Sequence, residues 1–300
     1  MRLFLLRHGE TEFSRNDRFC GDIDAALTLA GARMGRLFAD AYAVPVELLQ
    51  VTDPDARPPF WPSASSGRYL KNIAGEYFSG RASTSAETGA PATVIVDHAK
   101  NDPSCLIAMA THGLSGARRW LLGSVTSKVV QIAANPLLLI RPRHDFDAST
   151  PIRMKQIFVP LDGSALAEKA LPHACALSKR LNLEIQLLRV YSLPMDAYVV
   201  ADGLIARGPA QYREELAKQA HDYLEGKVAG LRADGLERVL GTALEGDAAS
   251  EIIDLASKTP DSLIGMSTHG RSGIGRWLLG SVAEKIIQHA HNPVLLIRAK

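Results

Sequence analysis

The chain has 300 residues, enough for about two domains, and its 46% hydrophobic and 22% charged residues are typical of a folded globular protein. The formal net charge of +2 at pH 7 gives no general attraction for nucleic acid. Cys20, Cys105 and Cys175 form no CxxC pair, which argues against a disulfide framework or a zinc site and favours a reducing compartment. The first apolar run, residues 3–6, is too short for a signal sequence, and no run approaches the roughly 18 residues of a membrane span. We therefore expect a cytoplasmic protein with neither membrane nor nucleic-acid partners.

In the first half of the chain, short apolar runs alternate with amphipathic stretches of helical period. The predicted strands are residues 2–6, 46–51, 82–87, 106–109 and 137–140. The predicted helices are residues 28–41, 67–78, 92–100 and 124–133. Strands that alternate with helices indicate a parallel sheet with helices on both faces.

The second half follows the same plan. Its predicted strands are residues 156–161, 183–190, 238–243, 262–266 and 293–297. Its predicted helices are residues 165–181, 212–231, 248–258 and 281–289. A polar, proline-bounded segment separates the halves, so we place domain 1 at 1–143, a linker at 144–152 and domain 2 at 153–300. The predicted fold class is α/β, with two tandem domains that each contain a parallel, doubly wound five-stranded sheet.

The two halves are copies of one another, here called repeat 1 and repeat 2. Residues 110–142 and 267–299 align without a gap at an offset of 157 and share 21 identities in 33 positions. Internal repeats of this kind indicate a duplicated domain. The segment from the second strand to Gly89 in repeat 1 is 18 residues shorter than the corresponding segment in repeat 2, which ends at Gly246. We therefore expect a trimmed helix in this segment of repeat 1.

A candidate anion site follows the fourth strand of repeat 2. Glycines after that strand let backbone N–H groups converge, and Gly280-Ser281 opens the next helix ten residues after Gly270. We expect Ser281 to be the N-cap and the first-turn amides to face an anion, most plausibly phosphate. Mere turn chemistry is the alternative, but the pairing of the two features occurs in both repeats.

The chain resembles a tandem universal stress protein, a family whose nucleotide binders carry G-x2-G-x9-G-S/T after strand four. Here the pattern reads Ser267-x2-Gly270-x9-Gly280-Ser281 in repeat 2 and Ala110-x2-Gly113-x9-Gly123-Ser124 in repeat 1, each with its first glycine replaced. The resemblance implies Rossmann-like domains of the adenine nucleotide alpha hydrolase-like type and binding of ATP, ADP or AMP, with Mg²⁺ as a conceivable companion. It also implies a stress-response regulator, and slow ATP hydrolysis remains open.

The resemblance also implies which residues contact the nucleotide. Pro160, Asp162 and Val190 would flank adenine and ribose. The other implied residues of repeat 2 are Met266, Ser267, Gly270, Arg271, Gly273, Gly280, Ser281 and Val282. Those of repeat 1 are Val51, Met109, Ala110, Gly113, Gly116, Gly123, Ser124 and Val125. We interpret His112 and His269 as turn residues, and no catalytic residue or metal ligand is assigned.

The first 42 residues resemble a different family, the histidine phosphatases of the phosphoglycerate mutase type. Arg7-His8-Gly9 follows a short apolar strand, as the phosphorylated histidine does in that family. No second arginine segment of the phosphatase type follows, so we expect Arg7 and His8 to contact phosphate at most. Two alternatives stay open: a hybrid phosphatase that uses His8, and a nucleotide-free scaffold for protein partners.

The last strand of each repeat can pair with a further strand, because exposed sheet edges pair readily. By resemblance to family dimers, strands 137–140 and 293–297 should pair and join the repeats into an intramolecular pseudo-dimer; a homodimer also remains open. We further expect repeat 1 to retain the phosphate half of its pocket and to lack the half that contains the aspartate.

Overall fold

The computed structural model describes residues 3–6, 29–54, 64–110, 122–141, 152–193, 209–268 and 279–298. Within these ranges, strands and helices alternate along the chain as the hydrophobic pattern predicts. The elements of repeat 1 are β1 (Leu3–Leu6), α1 (Leu29–Tyr42), β2 (Val46–Thr52), α2 (Ala64–Phe78), β3 (Ala82–Thr88), α3 (Pro91–Ala99), β4 (Leu106–Ala110), α4 (Ser124–Ile132) and β5 (Leu137–Ile140).

The elements of repeat 2 are β6 (Gln156–Pro160), α5 (Ala165–Glu168), α6 (Ala170–Leu181), β7 (Glu184–Tyr191), α7 (Pro209–Ala233), β8 (Val239–Glu245), α8 (Ala248–Ser257), β9 (Ser262–Ser267), α9 (Ser281–His289) and β10 (Val294–Ile297). The predicted trimming of repeat 1 is confirmed, since α2 has 15 residues and its counterpart α7 has 25.

One helix prediction is wrong, because the helix is interrupted in the structure. The stretch expected as a single helix over 165–181 is divided at Lys169 into α5 and α6. Pro172 lacks an N–H group, so it cannot donate to the carbonyl of Glu168 four residues earlier. The Lys169 N–H instead bonds back to the carbonyls of Ala167 and Leu166, which closes α5 in a tight turn.

The chain forms two compact units. The first takes Met1–Arg153, Ile274–Leu279 and Ile287–Arg298, and the second takes the remaining residues. In the first unit the strand order is β3-β2-β1-β4-β5-β10, parallel except for β10, which pairs antiparallel with β5. In the second unit the order is β9-β6-β7-β8, all parallel. The pairing predicted for strands 137–140 and 293–297 is present.

The strand order creates a switch point in each unit. In the second unit the chain moves outward from β6 to β7 and β8 and then returns to β9 on the other side of β6. Open α/β sheets bind ligands beyond the carboxyl ends of the strands at such a point. Every residue of β9 is buried, which is expected for a parallel strand covered on both faces.

Helices cover both faces of the second unit's sheet. The guanidinium of Arg189 on β7 lies 5.3 Å from the ring centre of Tyr223 on α7. Leu188 and Val190, which alternate with Arg189 and therefore face the other way, line a cleft together with Ile252 of α8. The doubly wound architecture predicted from the sequence is therefore the one observed.

Two arginines in the first unit cap helix C-termini. Arg141, directly after β5, donates to the carbonyls of Ile287 (3.2 Å) and Gln288 (2.6 Å). Arg298, at the equivalent position after β10, donates to the carbonyls of Gln131 (2.6 Å) and Ala133 (3.3 Å). These carbonyls lie at the C-terminal ends of α9 and α4. A helix end leaves its last C=O groups without intrahelical donors, and each guanidinium supplies donors there.

Among the described residues, no helix is both long enough and apolar enough to cross a membrane.

Candidate functional site

A cleft of about 210 Å³ opens at the carboxyl ends of β6, β7 and β9 in the second unit. Small-molecule sites usually enclose about 300 Å³ or more, so the cleft accommodates part of a ligand of nucleotide size. Eight residues that the sequence analysis assigned to ligand binding line it: Pro160, Asp162, Val190, Met266, Ser267, Gly280, Ser281 and Val282.

The walls of the cleft are largely apolar. Val190 and Leu188 come from β7, Ile252 from α8 and Met266 from β9. Leu188 and Ile252 are buried, and Val190 is half-buried at the mouth. A flat apolar group, such as a heterocyclic base, would lose water on both faces between such walls, which is a favourable contribution to binding.

Asp162 supplies the carboxylate of the cleft. Its Oδ1 accepts hydrogen bonds from the Ser164 backbone N–H (2.9 Å) and hydroxyl (2.6 Å). Gly163 between them has φ +82°, a conformation that favours glycine. Ser164 in turn accepts from the Ala167 N–H at 3.1 Å and is the N-cap of α5. The loop is therefore folded around the carboxylate and holds it at the cleft.

A polar cluster lies behind this loop and joins α5 to α7. Tyr223 Oη donates to Glu168 Oε1 at 2.8 Å, and Lys227 Nζ lies 2.7 Å from Glu168 Oε2. Arg189 stacks over Tyr223 and donates to the Leu161 carbonyl at 3.4 Å, one residue before Asp162. The cluster thus ties α7 to both ends of the loop that carries the carboxylate.

The cluster shifts the pKa values of its members. The hydrogen bond from Lys227, aided by that from Tyr223 and opposed by partial burial, lowers the pKa of Glu168 below its ordinary value of 4.5. Burial, reinforced by the hydrogen bond to Glu168, raises the pKa of Tyr223 above its ordinary value of 10. Glu168 is therefore ionised and Tyr223 neutral at pH 7, the forms that the hydrogen bonds require.

We expect Glu168→Gln to lower the free energy of unfolding by about 1 kcal/mol at pH 7, because a charge-assisted bond and an ion pair are lost from a partly exposed site. The folded-state pKa of Glu168 is depressed, so this contribution is present above the unfolded-state pKa and disappears as the pH falls through the folded-state pKa. The free energies of unfolding of the wild type and of Glu168→Gln, measured by urea denaturation from pH 7 down to pH 3, should converge below about pH 4.5. Tyr223→Phe, which keeps the ion pair between Lys227 and Glu168, serves as a partial control. A difference in unfolding free energy between the wild type and Glu168→Gln that does not change with pH would contradict the expectation.

The beginning of α9 corrects one prediction. Ser281 is the first residue of the helix and not its N-cap. The N-cap is Gly280, whose carbonyl accepts the first helical bond from the Glu284 N–H at 2.9 Å and whose own N–H donates to the Thr268 carbonyl at 2.9 Å. The N-cap is the residue whose carbonyl accepts that first bond, and glycine is common there. The serine therefore belongs to the first turn, where N–H groups lack helical acceptors.

Repeat 1 has the same arrangement at its fourth strand. Met109 and Ala110 are buried at the end of β4, and Val51 is half-buried near the end of β2. Gly123 is the N-cap of α4, which begins with Ser124 and Val125. The structure therefore brings these predicted residues to the carboxyl ends of the strands and the N-terminus of a helix.

Strand register relates the start of the two repeats. Leu3 pairs with Leu106, and Ile157 pairs with Leu263, which is the equivalent of Leu106 at the offset of 157. Leu3 thus corresponds to Ile157, and five residues later the sequence has His8 where repeat 2 has Asp162. Repeat 1 does not carry the aspartate at this position, as the sequence analysis expected.

Several residues that line the cleft were missed by sequence reasoning. They are Leu161, Ala167, Leu188, Ala248, Ile252, Thr268 and Ala283. All are apolar or small except Thr268, so no chemical signature sets them apart from core residues. Ile252 recurs as Ile95 in the duplication, but recurrence alone is equally expected of a core position.

Other predicted residues lie outside the described residues. They are Arg7, His8, Gly113, Gly116, Gly270, Arg271 and Gly273, with His112 and His269. Their assignments stay predictions, and the phosphatase hypothesis, which depends on His8, stays one as well. Among the residues that are described, no group of three or more His, Cys, Asp or Glu side chains could hold a metal ion.

The strand order and the cleft at the switch point define an α/β protein of the doubly wound class. The model of the Universal stress protein family matches residues 24–141 and 154–298. A universal stress protein of Methanocaldococcus jannaschii is 35% identical over 144 residues, which are 48% of this chain and 82% of the relative. One of Bacillus subtilis is 31% identical over 149 residues, 48% of this chain and 98% of the relative. The chain belongs to the universal stress protein family.

A solved structure agrees with this assignment at the level of the fold. The crystal structure of a universal stress protein from Archaeoglobus fulgidus is 18% identical, with a TM-score of 0.66, and the match covers 100% of this chain and 98% of that one. The family match begins at residue 24 and so includes α1, which the sequence analysis had placed in the phosphatase-like segment. The part of that segment outside the family match is therefore residues 1–23.

Proposed function

We propose that this protein binds an adenine nucleotide in the cleft of repeat 2 and acts as a nucleotide-responsive stress protein. The observation that carries the proposal is that one apolar cleft is lined by both the Asp162 carboxylate and the first turn of α9. A carboxylate accepts hydrogen bonds from ribose hydroxyls, and a helix N-terminus favours phosphate. The apolar walls between them suit a base.

The chemistry of the lining supports binding rather than turnover. Asp162 is the one titratable side chain among the described residues that line the cleft, and its Oδ1 is engaged by Ser164. A hydroxyl nucleophile is commonly activated by an adjacent base, and the described lining holds no histidine, lysine or second carboxylate to form such a pair with Asp162. We therefore assign Asp162 to ligand recognition, with ATP, ADP and AMP as the candidate ligands.

Blocking the cleft should weaken nucleotide binding strongly without unfolding the protein. Ala248 begins α8 at the cleft and is half-buried, so the ring in Ala248→Phe would occupy the space of the ligand. We expect the affinity for ATP, measured by isothermal titration calorimetry, to fall by more than about tenfold, since a filled pocket loses its apolar contacts. Mass spectrometry should also find less co-purified ATP, ADP or AMP with the variant than with the wild type.

The matched control is Ala229→Phe, which adds the same ring at an exposed position of α7. It should bind ATP as the wild type does. Unchanged affinity in Ala248→Phe, with the variant folded by circular dichroism, would refute the assignment of the cleft.

A further inference from the structure

The residue that follows β6 is fixed to β7 on two sides, directly before the cleft carboxylate. Leu161 precedes Asp162 and is 3% exposed. Its backbone N–H donates to the Leu188 carbonyl at 2.8 Å, and its own carbonyl accepts from the Arg189 guanidinium at 3.4 Å. Two consecutive residues of β7 therefore set the position of the peptide from which the Asp162 side chain extends.

Arg189 makes this contact from behind the cleft. Its neighbours Leu188 and Val190 line the cleft, whereas Arg189 faces α7 on the other side of the sheet. There its guanidinium lies 5.3 Å from the ring centre of Tyr223, within the distance of a cation–π contact. The Tyr223 hydroxyl in turn donates to Glu168 at 2.8 Å. The arginine is thus held by α7, and its contact with the cleft runs through the backbone.

Repeat 1 differs from repeat 2 at this arginine as well as at the aspartate. Val46 and Ile185 are equivalent, because each pairs with the corresponding residue in the first strand of its repeat. Arg189 comes four residues after Ile185, and Gln50 comes four residues after Val46. The repeat that does not carry the aspartate therefore has glutamine in place of the arginine. The two positions change together, which is the pattern expected if the arginine serves the aspartate.

We propose that Arg189 is a positioning residue that sets the preference of the cleft for nucleotides with ribose hydroxyls. By holding the Leu161 carbonyl, it keeps the Asp162 carboxylate where it can accept hydrogen bonds from those hydroxyls. A hydrogen bond weakens steeply when its geometry is lost, so a small displacement of this peptide lowers the affinity. The inference rests on the proposed function for the class of ligand, and it adds the residue that controls the selection of the sugar.

The test compares ATP with 2′,3′-dideoxy-ATP, which has the same base and phosphates but no sugar hydroxyl for Asp162. Isothermal titration calorimetry on the full-length protein gives the ratio of the two affinities. The wild type should favour ATP by about tenfold or more, the scale of a hydrogen bond to a charged group. Arg189→Gln, which introduces the side chain found in repeat 1, should reduce this preference about fivefold by weakening the binding of ATP alone.

Arg232→Gln is the matched control. Arg232 lies on α7 and donates to a strand carbonyl of the same unit, that of Val239, at 2.9 Å. Its replacement should leave the preference for ATP unchanged. Arg189→Lys is a milder variant, because it keeps a charged donor for the Leu161 carbonyl but lacks the planar group that stacks on Tyr223. It should reduce the preference about twofold, and thermal melting followed by circular dichroism checks that each variant is folded.

A second readout tests whether Arg189 acts through Asp162. In the Asp162→Ala background the acceptor of the sugar hydroxyls is gone, so adding Arg189→Gln should change the affinity for ATP by less than about twofold. Additive losses in the double variant would overturn the inference.

The outcomes separate the inference from the proposed function. A preference for ATP that is unchanged in both Arg189 variants would overturn the inference and leave the proposed function in place. Equal losses of affinity for the two nucleotides would also overturn it, because a residue that only stabilises the fold has that effect. A wild type that binds neither nucleotide would refute the proposed function itself and the inference with it.

Discussion

Asp162→Ala is expected to weaken the binding of ATP by about 10- to 100-fold. In the proposed site, Asp162 would accept charge-assisted hydrogen bonds from the ribose, and the variant would lose these bonds, which contribute about 1.5–3 kcal/mol each. The other walls of the cleft remain, so residual binding through base and phosphate should persist. Isothermal titration calorimetry at fixed salt measures the change.

Two further variants separate recognition from loop folding. Asp162 also accepts from the Ser164 N–H and hydroxyl, so its loss loosens the loop as well. Asp162→Asn keeps an oxygen acceptor for these bonds but loses the charge, and Ser164→Ala keeps the charge but loses the hydroxyl bond and the α5 cap. If the effect of Asp162 comes mainly from ribose recognition and not from loop folding, Asp162→Asn should lose about as much ATP affinity as Asp162→Ala. Ser164→Ala should then lose only a few-fold in ATP affinity. ATP binding that is unchanged in Asp162→Ala would refute the assigned role.

Arg141→Ala is expected to lower the free energy of unfolding by about 2–3 kcal/mol. The half-buried guanidinium donates to two carbonyls in the last turn of α9, and both would lose their charged donor. The cation also interacts favourably with the negative end of the helix dipole. Burial lowers the pKa of Arg141, but an arginine stays protonated near neutral pH.

The equivalent arginine offers an internal comparison. The hydrogen bond from Arg298 to the Gln131 carbonyl is solvent-exposed. Arg298→Ala should therefore lower the free energy of unfolding less than Arg141→Ala does, by about 1–2 kcal/mol. Arg153→Ala, at an exposed position, is the control and should stay within about 0.5 kcal/mol of the wild type. Chemical denaturation at pH 7 measures all three, and an effect of Arg141→Ala no larger than that of Arg153→Ala would refute the capping role.

The candidate site was predictable where its residues carry a chemical or conformational signature. Asp162 and Gly163 interrupt an apolar run at the end of β6, Gly280 directly precedes α9, and each has a local reason to be there. The neighbouring lining residues Leu188, Ile252 and Ala283 have none, since an apolar residue in a cleft and one in a core satisfy the same periodicity. Only the packing of α8 and α9 against the strand ends distinguishes them.

The polar cluster behind the loop was also beyond sequence reasoning. Glu168 and Tyr223 are 55 residues apart and lie on different helices, yet they share a hydrogen bond of 2.8 Å. The pattern of α7 shows a solvent-facing helix with charged residues and does not show which of them turn inward. The break between α5 and α6 was, in contrast, encoded by Pro172, whose effect on the Glu168 carbonyl is local.

The sequence by itself determined the duplication, the order of strands and helices and the family pattern at the starts of α4 and α9. These features depend on hydrophobic period, turn residues and identity at a fixed offset, all of which are local in the chain. Only the tertiary structure decided that the ends of β6, β7 and β9 meet in one cleft and that Arg141 reaches the end of α9. Burial and hydrogen bonding between residues far apart in the chain depend on how the elements pack, and periodicity does not report that packing.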